Sequence, residues 1–176
     1  MRFFINFFTL FCFALVIAEA ATYQVDRAHS QVTFQLRHLL FSHVKGTFSS
    51  FDGNYTIDQN RLKDLEGTAD VATISTGNPK RDKYLISSEF FDTAKYPKMK
   101  LHLLYVKDHE AITELTIKNR TEQVPLRITL SPGTPKPHLK LEGEISRKEF
   151  GLTWGKAVET GGIVVGDKIK IEIDLR

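Results

Sequence analysis

The chain has 176 residues, 41% hydrophobic and 26% charged, which suits one globular domain and argues against a disordered, collagen-like or coiled-coil chain. Lys plus Arg number 24 against 21 Asp plus Glu, a net charge of +3. The basic residues are scattered rather than gathered into one run, so nothing points to nucleic acid as a partner.

The first predicted element is a signal peptide over residues 1–20. Met1 and Arg2 give a short basic start, Phe3 to Ile17 form an apolar run broken only by Asn6 and Thr9, and Ala18-Glu19-Ala20 places small residues where cleavage is directed. The run is short for a membrane span, which needs about 20 apolar residues. Cleavage after Ala20 is therefore expected, leaving a domain over 21–176 that is periplasmic or secreted and has no stable membrane insertion. Cys12, the sole cysteine, departs with the leader, so the mature domain must hold together without disulfides or thiolate-bound metal.

Beyond residue 20 the dominant pattern is alternation of period two, which sends successive side chains to opposite faces of a strand. Val32, Phe34, Leu36 and His38 alternate with Gln31, Thr33, Gln35 and Arg37, predicting a half-buried strand whose apolar face ends in a histidine. Weaker strand patterns cover 44–57, with a kink expected at Phe51-Asp52-Gly53, and 65–74. Asn78-Pro79 ahead of Lys80 to Leu85 predicts a short helix with a capping Asn and a proline in its first turn. Ser87 to Asp92 predicts a turn. Weaker strand patterns over 98–107 and 111–118 follow, joined at a hairpin turn at Asp108-His109. Lys118-Asn119-Arg120 reads as another hairpin turn, with Asn119 as the residue that tolerates left-handed backbone.

The clearest alternation comes late in the chain. Val124, Leu126, Ile128 and Leu130 mark one strand; Leu139, Leu141, Gly143 and Ile145 a second; Ile169, Ile171, Ile173 and Leu175 a third. Pro132, Pro135 and Pro137 make the segment after Leu130 a loop, since proline cannot donate to a ladder, and Arg147 to Gly151 predicts a turn. The total is about eight strands with mainly short connections, hence antiparallel, and alternation alone does not choose between barrel and sandwich.

Few constellations suggest catalysis. His29, His38 and His43 raise a hydrolase or metal-enzyme reading, but their spacing matches no compact ligand motif, and His29 and His38 have opposite parity on a regular strand. A hydrogen-bonded structural role is expected of them. Asp26, His29 and Ser30 are the residue types of a hydrolytic triad without the glycine pattern of a nucleophile elbow. No catalytic residue and no metal ligand is assigned.

Several landmarks stand in a distinctive order: Asp26, His29 and Ser30 before the strand ending in His38; Gly46, Phe48, Phe51 and Gly53; Arg81-Asp82 with Leu85; Ser88, Phe90-Phe91-Asp92 and Tyr96-Pro97; Leu115-Thr116-Ile117 with Thr121 and Val124; and Arg147 with Phe150-Gly151-Leu152. Together they resemble the YceI-like family of exported polyisoprenoid-binding proteins, over nearly the whole mature chain. Tyr23 stands where that family commonly has tryptophan, and Thr113 and Asn119 where it commonly has glycine.

The resemblance implies an all-β fold, an antiparallel up-and-down lipocalin-like barrel with short helical segments. Its interior would hold one long-chain amphiphile, such as a polyisoprenoid or isoprenoid quinone, and the protein would be a carrier or sequestering protein rather than an enzyme, with no cofactor besides that ligand. Joined to the inward parity of the strands, it makes Val32, Phe34, Leu36, His38, Phe41, Val44, Phe48, Phe90, Phe91, Met99, Leu101, Leu103, Leu115, Ile117 and Trp154 the expected ligand contacts. Arg81, in the most charged irregular segment, is expected at the ligand's polar end, with Asp82 either restraining the backbone beside it or pairing with another cation. Monomer and homodimer both remain open at this level.

Overall fold

The structure, a computed structural model, describes residues 20–38, 42–153 and 165–176. The expected leader up to residue 19, Phe41 and Trp154 lie outside the described residues, as does the side chain of His38.

Eleven strands are present among the described residues: β1 (Ala21–Gln24), β2 (Gln31–His38), β3 (Ser42–Phe48), β4 (Phe51–Asp58), β5 (Arg61–Asp70), β6 (Ile74–Ser75), β7 (Lys98–Lys107), β8 (Glu110–Ile117), β9 (Arg120–Ser131), β10 (His138–Ser146) and β11 (Val165–Leu175). All pair antiparallel in one curled sheet of order β1-β4-β5-β7-β8-β9-β10-β11-β2-β3-β6. The central run β7 to β11 is consecutive. The chain's last strand then pairs with β2 near its start, register Phe34 to Ile171, which curls the sheet around its apolar interior.

The count exceeds the expected eight because β1 and β6 are too short to display a period, and because residues 44–57 form two strands rather than one kinked strand. The break falls at Ser49-Ser50 instead of Phe51-Asp52-Gly53. Polar side chains fix it there: the Ser50 N–H donates to Thr73 Oγ1 at 3.1 Å and its hydroxyl to Asp70. The strand expected over 65–74 begins earlier, at Arg61, and ends at Asp70 in a 3-10 turn over Val71–Thr73.

Alternation is converted into burial most plainly in β8, where Ala111, Thr113, Leu115 and Ile117 are buried and the residues between them are not. Thr113 tolerates complete burial because its hydroxyl donates to the Val124 carbonyl at 2.8 Å. The β8–β9 turn corrects one expectation: the left-handed residue is Lys118, at φ +58°, and Asn119 is not.

The predicted helix forms as α1 (Pro79–Ile86), with Asn78 Oδ1 accepting from the N–H groups of Lys80 and Arg81 at 3.1 Å each. Leu85 is its buried residue. The turns that follow keep Phe90 and Phe91 buried and edge-to-face, centroids 4.9 Å apart.

The interior divides along its length. Around β8, β9 and β10, Ala111, Thr113, Leu126, Leu139 and Leu141 are fully buried in close packing. Toward β2, β3, β11 and α1 the same interior is hollow.

Candidate functional site

The hollow end contains a cavity of about 280 Å³ whose wall is almost wholly apolar. Three strands build one side from paired residues: Ile169, Ile171 and Ile173 on β11 stand opposite Leu36, Phe34 and Val32 on β2, which stand opposite Val44, Gly46 and Phe48 on β3. Gly46 is where the Phe34 ring lies over the backbone, since a Cβ added there would sit 2.2 Å from Phe34 Cζ. The Phe34 and Phe48 rings are 5.7 Å apart. Leu65 and Ala69 of β5, Met99 and Leu101 of β7, Leu115 and Ile117 of β8 and Ile145 of β10 complete the sheet wall; Leu85, Phe90, Phe91 and Leu152 close it from the irregular segments.

Of the expected contacts, Val32, Phe34, Leu36, Val44, Phe48, Arg81, Phe90, Phe91, Met99, Leu101, Leu115 and Ile117 border this cavity. Leu103 does not. It points inward as its parity requires, but lies two residues beyond Leu101 in the packed end, opposite Thr113. His38 is in place as the last residue of β2. Val25, Phe51, Leu65, Ile74, Leu85, Ile145, Arg147, Leu152, Ile169, Ile171, Ile173 and Leu175 also border the cavity and were not anticipated. For the β11 isoleucines the signal was already in the alternation, which marks an inward face without saying whether that face meets a neighbour or a space.

Two arginines enter this apolar wall. Arg81 donates from Nε to Thr76 Oγ1 at 2.7 Å and from Nη2 to the Thr76 carbonyl at 3.0 Å. Asp82 Oδ1 accepts from the Thr76 N–H at 3.0 Å and from its hydroxyl, so this carboxylate restrains the backbone beside Arg81 as expected. Arg147 is only 4% exposed; its Nε donates to the Gly166 carbonyl at 3.1 Å and its Nη1 to the Leu152 carbonyl at 2.6 Å. Beside it, Asp167 loses hydration, which works against its charge, yet hydrogen bonds from Ser146 Oγ and the Lys148 N–H, with the charges of Lys148 and Arg147, hold its pKa below the ordinary value.

The histidine reading finds no such assembly. His29 is an exposed turn residue whose Nδ1 lies 2.8 Å from Asp26 Oδ2, a bond that draws the Asp26 carboxyl below its usual range. Ser30, the third residue type of a triad, is buried with its Oγ accepting from the Arg176 N–H at 2.9 Å. His43 sits on β3 across from Arg37, at the opposite end of β2 from His29, about 20 Å of strand away. Among the described residues no three His, Cys, Asp or Glu side chains gather as metal ligands.

The YceI-like domain family matches residues 23–176. The chain belongs to the YceI-like family. UPF0312 proteins of Staphylococcus epidermidis and Staphylococcus aureus are 31% and 32% identical over 159 and 156 residues, covering 85% and 84% of this chain and 93% and 91% of theirs. Among solved structures, BcnA of Burkholderia cenocepacia superposes with a TM-score of 0.75 at 22% identity, covering 86% of this chain and 98% of that one. A polyisoprenoid-binding domain of Saccharophagus degradans gives 0.69 at 13% identity, covering 89% and 97%, and the YceI protein of Campylobacter jejuni 0.60 at 26% identity, covering 88% and 98%.

In this YceI-like domain the C-terminal landmark Arg147, Phe150, Gly151 and Leu152 forms one unit of the wall. Phe150 is buried, Leu152 borders the cavity, and Gly151 adopts φ +68° beneath the Arg120 guanidinium, where a Cβ would be 3.2 Å from Nε.

Proposed function

We propose that this YceI-like protein is a non-enzymatic carrier or sequestering protein that holds one long-chain apolar lipid, a polyisoprenoid, isoprenoid quinone or similar, in the cavity at the hollow end of the sheet. The observation that carries this reading is the cavity itself: about 280 Å³ of apolar-walled space inside the curled sheet. An apolar cavity of ~150 Å³ accommodates benzene; this one suits a chain of roughly twice that bulk. Burying ten CH₂ groups at ~0.8 kcal/mol each supplies ~8 kcal/mol, against association costs that begin near ~4 kcal/mol. Affinity then arises without a charged anchor or a cofactor. The likeness to the Saccharophagus degradans polyisoprenoid-binding domain supports the same ligand class.

Arg81 meets the ligand's polar end, because a head group left unpaired among these aliphatic side chains would cost ~1–3 kcal/mol. The leader-like first twenty residues support a periplasmic or secreted location. Native mass spectrometry of the freshly isolated protein should detect one stoichiometric long-chain lipid and report the subunit count. Repeated absence of such a lipid, together with no uptake of added ubiquinone or prenol after delipidation, would overturn the carrier reading.

A further inference from the structure

The segment from Asn78 to Tyr96, comprising α1 and the turns that carry Phe90 and Phe91, covers one side of the cavity. Many of its backbone hydrogen bonds are internal: Phe91 N–H to the Leu85 carbonyl, Asp92 N–H to the Ser87 carbonyl and Thr93 N–H to the Ile86 carbonyl. Such bonds shape the cover, and Arg81 and Asp82 tether its start to Thr76 beside β6. The β8–β9 turn adds an attachment at its far end. Lys118 Nζ donates to the Phe90 carbonyl at 2.9 Å, from 28 residues away in sequence. Two residues on, Arg120 Nη1 donates to the Glu149 carbonyl at 3.0 Å, and its guanidinium lies against Gly151, beside Leu152 of the cavity wall. One tight turn thus reaches two of the irregular segments bordering the cavity.

Lys118 holds the left-handed conformation, φ +58°, as the hairpin-turn residues Gln59, Asn60 and Asp108 also do; the turn requires it, and it makes glycine an unstrained replacement there.

We infer that Lys118 and Arg120 are positioning residues of the ligand site: they clasp the 78–96 cover and the 147–152 turn to the rim and thereby set how slowly a bound lipid leaves. This rests on the carrier reading and adds to it the element that controls exchange. Neither cation needs to touch the ligand.

The test uses all-trans-retinol, a fluorescent isoprenoid, with delipidated protein, in stopped-flow dissociation and in amide hydrogen exchange without ligand. Lys118→Gly removes the ammonium and relieves the left-handed strain, so its unfolding midpoint should be no lower than wild type. Its retinol dissociation should nevertheless be about tenfold faster, the loss of one charge-assisted hydrogen bond, and exchange at Phe91 and Asp92 should rise. Lys118→Met should give the same faster release, Lys118→Arg should restore slow release, and Arg120→Met should raise exchange at Gly151 and Leu152. If exchange at Phe91 and Asp92 and the dissociation rate are both unchanged in Lys118→Gly while wild type binds retinol, the clasp is wrong and the carrier reading stands. If exchange rises but wild-type protein takes up neither retinol nor phytol, the carrier reading falls and the clasp's role in retention falls with it.

Discussion

Identical truncations at the two ends of the interior should have unequal costs. Leu126 is fully buried, and its Cδ2 would lie 2.5 Å from a Cβ placed on Gly143, so it fills a slot that only glycine leaves open. Leu101 is also buried, at 9% exposure, but borders the 280 Å³ cavity. Leucine to alanine removes three carbons, ~2.4 kcal/mol at ~0.8 kcal/mol each. In close packing the residual hole adds ~24 cal/mol per Å³ and carries the total toward ~5 kcal/mol. Leu126→Ala should therefore cost ~4–5 kcal/mol. Leu101→Ala only enlarges a space that is already there, and should cost ~2–3 kcal/mol, near the transfer value alone. Urea unfolding of delipidated protein reads the difference as a midpoint shift at constant slope. Retinol titration should invert the ranking, with affinity weakened by Leu101→Ala and untouched by Leu126→Ala. Equal stability costs would refute the division of the interior into a packed end and a hollow end.

Gly46→Ala should drive the Phe34 ring off the β3 backbone and into the cavity; we expect retinol affinity to fall about tenfold while the folded state persists, and unchanged affinity would mean that the ring has another place to go. Arg81→Ala should weaken binding of a prenol by ~1–3 kcal/mol and leave a headless hydrocarbon of equal length nearly unaffected, as calorimetry would read; equal losses would make Arg81 purely structural through Thr76. Asp167, whose folded pKa lies below its ordinary 3.8, contributes stability that is present above that value and is lost as pH falls through the folded pKa. Asp167→Asn should therefore lower the urea midpoint at pH 6 and do so progressively less below pH ~4; a gap that persists at pH 2 would show that its role does not depend on charge.

Legibility in the sequence followed length and periodicity. β2 and β9 to β11 show the clearest alternation, and α1 carries its own capping residues. By contrast β1 offers four residues and β6 two, too few for any period. The break between β3 and β4 depends on Ser50 reaching Asp70 and Thr73, partners twenty or more residues away. Parity placed Leu101 and Leu103 on one face, but the boundary between packed and hollow interior falls between them, and position along the interior is not written in a two-residue period. In the sequence Arg147 is the start of a turn and a family landmark, and neither marks it as a wall residue, since arginine is seldom buried without partners. Its partners are the Gly166 and Leu152 carbonyls, and neither proximity is visible from local sequence.

The division of the interior carries an energetic obligation that binds fold to function. An apolar-walled space of about 280 Å³ leaves the side chains around it without the contacts that the packed part of the interior makes. The sequence has a single cysteine, so no intrachain disulfide offsets this loss. Elsewhere in the core, fully buried Tyr55 donates its hydroxyl to the Pro137 carbonyl at 2.8 Å, tying the proline loop to β4. A lipid in the cavity would restore contacts along the β2, β3 and β11 walls and bind the folded chain alone. Free ligand at 100 times its Kd should then add ~2.7 kcal/mol, and raise the Tm by ~5–10 °C at ~2–4 °C per kcal/mol for a chain of this size. Calorimetry of delipidated and retinol-saturated protein measures this directly. An unchanged Tm would mean that retinol does not bind the folded chain in preference to the unfolded one; a rise of equal size in Gly46→Ala would place the ligand outside the cavity and make the assignment of the hollow end as the site wrong.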